Sequence, residues 1–367
     1  MFYCAVIFTI LASLAAFYPV VSGHSLGGHR MDKSMYLKLT DRWYRWPEKC
    51  PFSKDSGCSC LGSNRQKKVV CEGKGVTTLP SFTHLPALSE LVLKNTALKG
   101  LTKSTFTHVR AHGVTIEGGD LGNRIQLGAL DGLKYSLRTL TIKNAALTTL
   151  PQGLFRKLRR LRRMKIEGNP DLKILPAGIF SGLRNLQYLF LDNNGLRTLP
   201  QDIFSRMSKL NVLSIVRNRL RRLSDNTFSG LSRLESLFLD GNGLTTVPSG
   251  LLRALHGLVI VSFKNNKIAK VESKAFEGPL MLQWLDLSDN HLTTVSPCMF
   301  SGLDSGVGVN LENNAITCSC ALQWWRDVRN VFPMGVCHGP GGAAGKELIE
   351  FSNPACELIM ESTELLC

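Results

Sequence analysis

No asparagine in this 367-residue chain is followed by the x-Ser/Thr that accepts an N-glycan; Asn95-Thr-Ala and Asn226-Thr-Phe both fail the pattern. N-linked sugar therefore shields neither face of the folded chain. No cysteine lies between Cys71 and Cys298, so disulfides cannot hold the centre. Acidic charge is short: 28 Asp and Glu stand against 44 Lys and Arg, a net charge of +16 that predicts attraction to an acidic counterpart. Beyond residue 23 no run approaches the roughly 18 to 20 apolar residues of a membrane span, and residues 361–367 lack a lipid-anchor tail. Disorder is excluded as well, because 44% of residues are hydrophobic and only 20% are charged.

Catalytic patterns are missing too. No G-x-x-x-x-G-K or G-x-S-x-G element stands between a strand and a helix. The eight histidines are dispersed. His108 and His112 are four apart without a nearby carboxylate or cysteine, and His24 with His29 offers only a weak copper chelate. The expectation is a non-enzyme with no cofactor and no metal.

What is present begins with residues 1–23, an uncharged and largely apolar stretch ending in Val21-Ser22-Gly23, which reads as a secretory signal peptide. Residues 24–49 form a basic, aromatic-rich lead-in. Removing the signal takes Cys4 with it and leaves ten cysteines, an even number suited to an oxidising, extracellular location. They cluster at the two ends: Cys50, Cys58, Cys60 and Cys71, then Cys298, Cys318, Cys320, Cys337, Cys356 and Cys367. Zinc ligation by Cys58-x-Cys60 or Cys318-x-Cys320 is disfavoured, since zinc sites prefer two to four residues between paired ligands.

The middle is self-similar. Leu91-x-Leu93, Val114-x-Ile116, Leu140-x-Ile142, Met164-x-Ile166, Leu189-x-Leu191, Leu213-x-Ile215, Leu237-x-Leu239, Val261-x-Phe263, Leu285-x-Leu287 and Val309-x-Leu311 step by 23, 26, 24, 25 and then 24 five times. Alternation at x-Leu-x-Leu-x makes each a short strand with leucines inward. Asparagine recurs at Asn169, Asn194, Asn218, Asn242, Asn266, Asn290 and Asn314, where a stacked amide can satisfy buried turn groups. Phe155, Phe180, Phe204, Phe228, Phe276 and Phe300 form a second spine, with Leu252 in the same slot. The repeat around Val114 has Gly119 where asparagine belongs, which predicts distortion there and leaves its strand in doubt.

These residues resemble the extracellular leucine-rich repeat family of the 24-residue type, similar to Slit-type and Toll-ectodomain-type repeat domains, over about Cys50 to Cys356. The short cap with irregular early repeats is also similar to the non-catalytic subunit of secreted enzyme complexes such as shrimp luciferase. The resemblance implies an α/β solenoid, a leucine-rich repeat horseshoe with a concave parallel β-sheet and disulfide-bonded caps at both ends. Residues 50–80 would be the first cap, 81–317 ten repeats and 318–367 the second cap. The family pattern implies Cys50–Cys60, Cys58–Cys71, Cys318–Cys337 and Cys320–Cys356. Cys298 and Cys367 exceed it; they would pair with each other, although spacing alone leaves a shuffled pairing or a free thiol at Cys298 open.

The outward strand positions place Tyr188, Phe190, Phe238, Ile260 and Trp284 on the concave side, a candidate site for an extracellular protein ligand. A basic rim comprises Arg156, Lys157, Arg159, Arg160, Arg162, Arg163 and Lys165, continued by Arg217, Arg219, Arg221 and Arg222. In a secreted protein its counterpart would be a glycosaminoglycan or an anionic microbial surface, not nucleic acid. Aromatic rings packing along the sheet, and charge serving solubility alone, are the competing readings.

Overall fold

The structure is a computed structural model and describes residues 52–62, 67–83, 85–300, 302–303, 306–319, 322, 331–339 and 344–350. All lie in the compact unit of residues 45–367. The expectations for the signal segment, the lead-in, and Cys50, Cys320, Cys356 and Cys367 fall outside the described residues.

One sheet of thirteen strands runs through this unit. It opens with an antiparallel hairpin, β1 (Cys58–Leu61) and β2 (Lys68–Glu72). The parallel strands begin with β3 (Leu88–Lys94), β4 (Ala111–Glu117), β5 (Thr139–Lys143) and β6 (Arg163–Glu167). Three-residue strands follow: β7 (Tyr188–Phe190), β8 (Val212–Ser214) and β9 (Ser236–Phe238). Two short strands, β10 (Thr246–Val247) and β12 (Lys270–Val271), pair separately outside that sheet. Between and after them β11 (Ile260–Ser262), β13 (Trp284–Asp286), β14 (Val307–Asn310) and β15 (Val331–Met334) complete the main sheet. Among the described residues the connections are turns, short 3-10 segments and a single four-residue α-helix, Pro297–Phe300.

The ten apolar positions read from the sequence are hydrogen-bonded neighbours in unbroken register, from Leu91 beside Val114 to Leu285 beside Val309. The ladder also extends one rung into each cap, through Val69 beside Leu91 and Val309 beside Pro333. A period near 24 returns each leucine to the same side of the sheet, so every repeat buries its predecessor's core edge. Most of these side chains are fully buried, each contributing roughly 1.5 to 3 kcal/mol by leaving water.

The asparagine ladder is a hydrogen-bond device. Asn266 Oδ1 accepts from Leu244 N at 3.1 Å, while its Nδ2 donates to Leu239 O at 3.1 Å and Phe263 O at 2.8 Å. Asn218, Asn242, Asn290 and Asn314 bond to their neighbours in the same way. In the first and third repeats Thr96 and Ala145 occupy that slot. Asn95 and Asn144 sit one residue earlier, in the left-handed conformation at φ 49° and 52°. Behind the core, Phe155, Phe180, Phe204 and Phe228 stack at 6.0 to 6.3 Å, and Phe276 stacks on Phe300 at 5.8 Å.

The doubt about the second repeat is corrected. β4 is a full seven-residue strand paired on both sides, and the irregularity is confined to the turn after it. There Gly118 and Gly119 take φ of 70° and 78°, and a Cβ on Gly118 would collide with the Asn95 side chain.

Both ends carry disulfides, Cys58–Cys71 and Cys318–Cys337. Cys60 and Cys298 are disulfide-bonded as well, so Cys298 is not a free thiol.

Candidate functional site

The solvent side of the sheet divides into two chemically distinct halves. On the early strands it is a lattice of opposite charges. Lys68 pairs with Glu90 at 2.8 Å, Lys94 with Glu72 at 2.9 Å, Lys143 with Glu117 at 3.9 Å and Lys165 with Glu167 at 3.8 Å. Exposed pairs of this kind are worth well under about 1 kcal/mol each, but they neutralise this half of the face.

From β7 onward apolar and aromatic side chains take over. Register places Tyr188, Val212, Ser236, Ile260, Trp284 and Gly308 in one column. Phe190, Ser214, Phe238, Ser262 and Asp286 form the next. Tyr188, Phe238, Ile260 and Trp284 are all half-buried, with neither full exposure nor a core to enter. Large and small residues alternate over the first four positions of the second column. Ser214 and Ser262 are accordingly buried between their larger neighbours.

Phe190 departs from its expected exposure. It is only 6% exposed, and Lys165 Nζ stands 4.6 Å from its ring centroid. Arg163 covers Tyr188 in the same manner, its guanidinium carbon 4.8 Å from the ring centroid. The basic run and the aromatic columns, read as separate features of the sequence, thus meet at the β6–β7 boundary.

Each aromatic-to-serine step is braced by an aspartate. Asp192 Oδ1 accepts from Ser214 Oγ at 2.6 Å and from Val216 N at 2.8 Å. Asp240 Oδ1 accepts from Ser262 Oγ and, at 3.1 Å, from Lys264 N, repeating the device two repeats later. Burial pushes the Asp192 carboxyl up to about 6, outweighing the hydrogen bonds that favour its charge. Asp240 is likewise raised to about 6, chiefly by burial, although it keeps partial solvent contact.

Trp284 lies flat over the next strand, where a Cβ on Gly308 would come within 2.9 Å of two indole ring carbons. Phe332, half-buried on β15, follows in the same column. Sequence reasoning missed it because Pro333 stands in the leucine slot of that last rung; counting 24 residues on from Gly308 would have found it.

The side chains of the basic rim stand in different surroundings. Lys157 is held by Asp131 at 2.6 Å, Arg160 donates to Tyr135 O at 2.7 Å, and Arg163 and Lys165 lie over rings. Arg156, Arg159, Arg162, Arg217, Arg219, Arg221 and Arg222 are exposed and form no ion pair among the described residues. His108 and His112 are both exposed, and no group of three or more His, Cys, Asp and Glu converges among the described residues.

The stacked parallel ladder, the asparagine column and the phenylalanine spine coincide with family-model matches to "Leucine rich repeat" at residues 135–196, 184–244 and 254–316. This is a leucine-rich repeat fold. Among solved structures, these leucine-rich repeats are similar to a chain in the octameric complex of Latrophilin 3, Unc5D and FLRT2. Identity there is 22% and the TM-score 0.58, over 83% of this chain and 98% of that one. A chain of the Drosophila Toll–Spatzle complex matches at 18% identity and a TM-score of 0.50, over 72% of this chain. The match takes in 48% of that chain, so the present protein spans about half its length. No described helix of the leucine-rich repeat unit is long and apolar enough to cross a membrane.

Proposed function

We propose that the chain is a secreted, non-enzymatic recognition protein that binds an extracellular protein ligand on the open face of its sheet. The observation that carries this reading is the half-buried column Tyr188, Ile260 and Trp284, with Phe238 beside it, standing on strands with no covering layer among the described residues. Rigid aromatic side chains presented on a pre-ordered sheet lose little entropy on binding and bury large apolar area, the usual make-up of an interface hot spot. The serine and aspartate pairs between them supply fixed polar edges. Disulfides at both ends support an oxidising location. The two similar structures are complexes with protein partners, Spatzle in one and Latrophilin 3 and Unc5D in the other.

A photo-crosslinking amino acid placed at Ser236, at the centre of the face, should trap a protein from native extracellular fluid. The same group at Arg253, remote from the sheet, should trap nothing in common with it. Identical products from both positions would remove the open face as the binding surface.

A further inference from the structure

A second site is built at the edge where the strands begin. Arg138 and Arg162 immediately precede β5 and β6, and Gln187 holds the equivalent place before β7. Two residues earlier in successive repeats stand Arg160, Asn185 and Lys209. These six side chains line a cleft of about 350 Å³ that contains four cations and no carboxylate. The backbone beneath is locked into the sheet: Arg162 N and Arg163 N both donate to Arg138 O, and Gln187 N and Tyr188 N both donate to Arg162 O.

Two of the four cations, Arg160 and Lys209, are held in place by neutral groups. Arg160 Nη1 donates to Tyr135 O at 2.7 Å, Lys209 Nζ donates to Asn185 Oδ1 at 2.8 Å, and Asn185 Nδ2 donates to Arg159 O at 2.8 Å. None of the four forms an ion pair among the described residues, in contrast to Lys157 and Lys165 close by. Positive charge that is oriented by amides and carbonyls but not neutralised is matched to an oxyanion, and three arginines offer planar, forked donors for one.

We propose that this cleft binds sulfate esters of a sulfated polysaccharide, separately from the protein-binding face. The geometry favours a linear polyanion over a single small ion. The cations run in two rows across successive repeats and lie open to solvent, so a chain bearing sulfates at intervals can cross them along the stacking direction. The polysaccharide class rests on the extracellular location proposed above. The site also differs from the basic run seen in the sequence: Arg138 and Lys209 join it, while Arg156, Lys157 and Arg217 to Arg222 stay outside.

The test uses the full chain and a fluorescent heparin octasaccharide as the probe. Arg138→Gln/Arg162→Gln/Lys209→Gln should weaken binding by about tenfold or more, the loss of two or more charge-assisted contacts. A control removing the same charge, Arg219→Gln/Arg221→Gln/Arg222→Gln, should change it by less than about twofold. Equal weakening by both triples, or none by either, overturns the site. Desulfated octasaccharide should fail to compete; competition as good as that of the sulfated probe overturns the sulfate assignment. A single-stranded RNA oligonucleotide that binds tighter than heparin, and loses that binding in the cleft triple, overturns the polysaccharide assignment. Thermal melting of each variant monitors the fold. Should the cleft triple melt early, Lys209→Gln alone still decides, with a measurable loss for the site and unchanged affinity against it.

Discussion

Lys165 Nζ stands 4.6 Å from the centroid of the Phe190 ring, the closest cation–ring approach at the junction of the charged and aromatic halves of the sheet. The ammonium closes the end of the aromatic column, and Phe190 is buried beneath it. A contact of this kind contributes about 0.5 to 1 kcal/mol at a partly exposed position. Lys165→Ala should lower the urea midpoint by the equivalent of that amount. Lys165→Met, which keeps the covering carbon chain, should recover part of it. Equal losses in both variants would mean that the charge carries the whole effect.

The asparagine ladder predicts a larger loss. Replacing Asn266 by alanine leaves Leu244 N–H without its partner inside the core, while Leu239 O and Phe263 O each lose one of two donors and keep Asn242 Nδ2 and Asn290 Nδ2. Unpaired buried groups cost about 1 to 3 kcal/mol each, so Asn266→Ala should destabilise the unit by about 2 kcal/mol or more in denaturant unfolding. Lys267→Ala, at the exposed position beside Asn266, should cost less than about 0.5 kcal/mol.

Stability should rise on mild acidification. Asp192 has its carboxyl raised to about 6 in the folded state, above the 3.8 of an unperturbed aspartate. The folded protein therefore binds more protons than the unfolded chain between those values. The resulting stability is fully present below about pH 4 and lost as pH climbs through about 6. Lowering pH from 7 to 5 should accordingly add about 1 kcal/mol through Asp192, and a comparable amount through Asp240, whose carboxyl is raised to the same value. Asp192→Asn should remove its share of this slope, seen as a flatter plot of melting temperature against pH.

Gly308 sets the pose of Trp284. An added methyl would stand 2.9 Å from the indole carbons, so Gly308→Ala should lift the ring off the strand. Ligand affinity should fall by about tenfold, an energy of about 1.4 kcal/mol, while the melting temperature moves by no more than a few degrees. Equal affinity with a displaced ring, monitored by tryptophan fluorescence, would detach Trp284 from recognition.

Much of this fold is legible in the sequence because its core obeys one period. Leu91 to Val309 could be aligned by counting, and hydrogen-bonded register follows that alignment rung by rung. Side-chain burial on the open face was less legible. Whether Phe190 is exposed depends on the reach of Lys165 from the preceding strand, which alternation alone does not encode. The doubt at Gly118-Gly119 came from treating a lost asparagine as a lost strand; the backbone resolves it in the turn with two positive-φ glycines. Arg138 and Lys209 escaped notice for a different reason. They lie 71 residues apart and belong to no dense basic run, and only stacking brings both to the same cleft.

The most direct measurement of open-face recognition is the affinity of the crosslinked ligand, once identified, for the wild-type chain and for Phe238→Ser/Trp284→Ser. Two central aromatic anchors lost together should weaken binding by about 100-fold or more, with the melting temperature of the unliganded protein nearly unchanged. Unchanged affinity in a folded double variant would contradict recognition through this face.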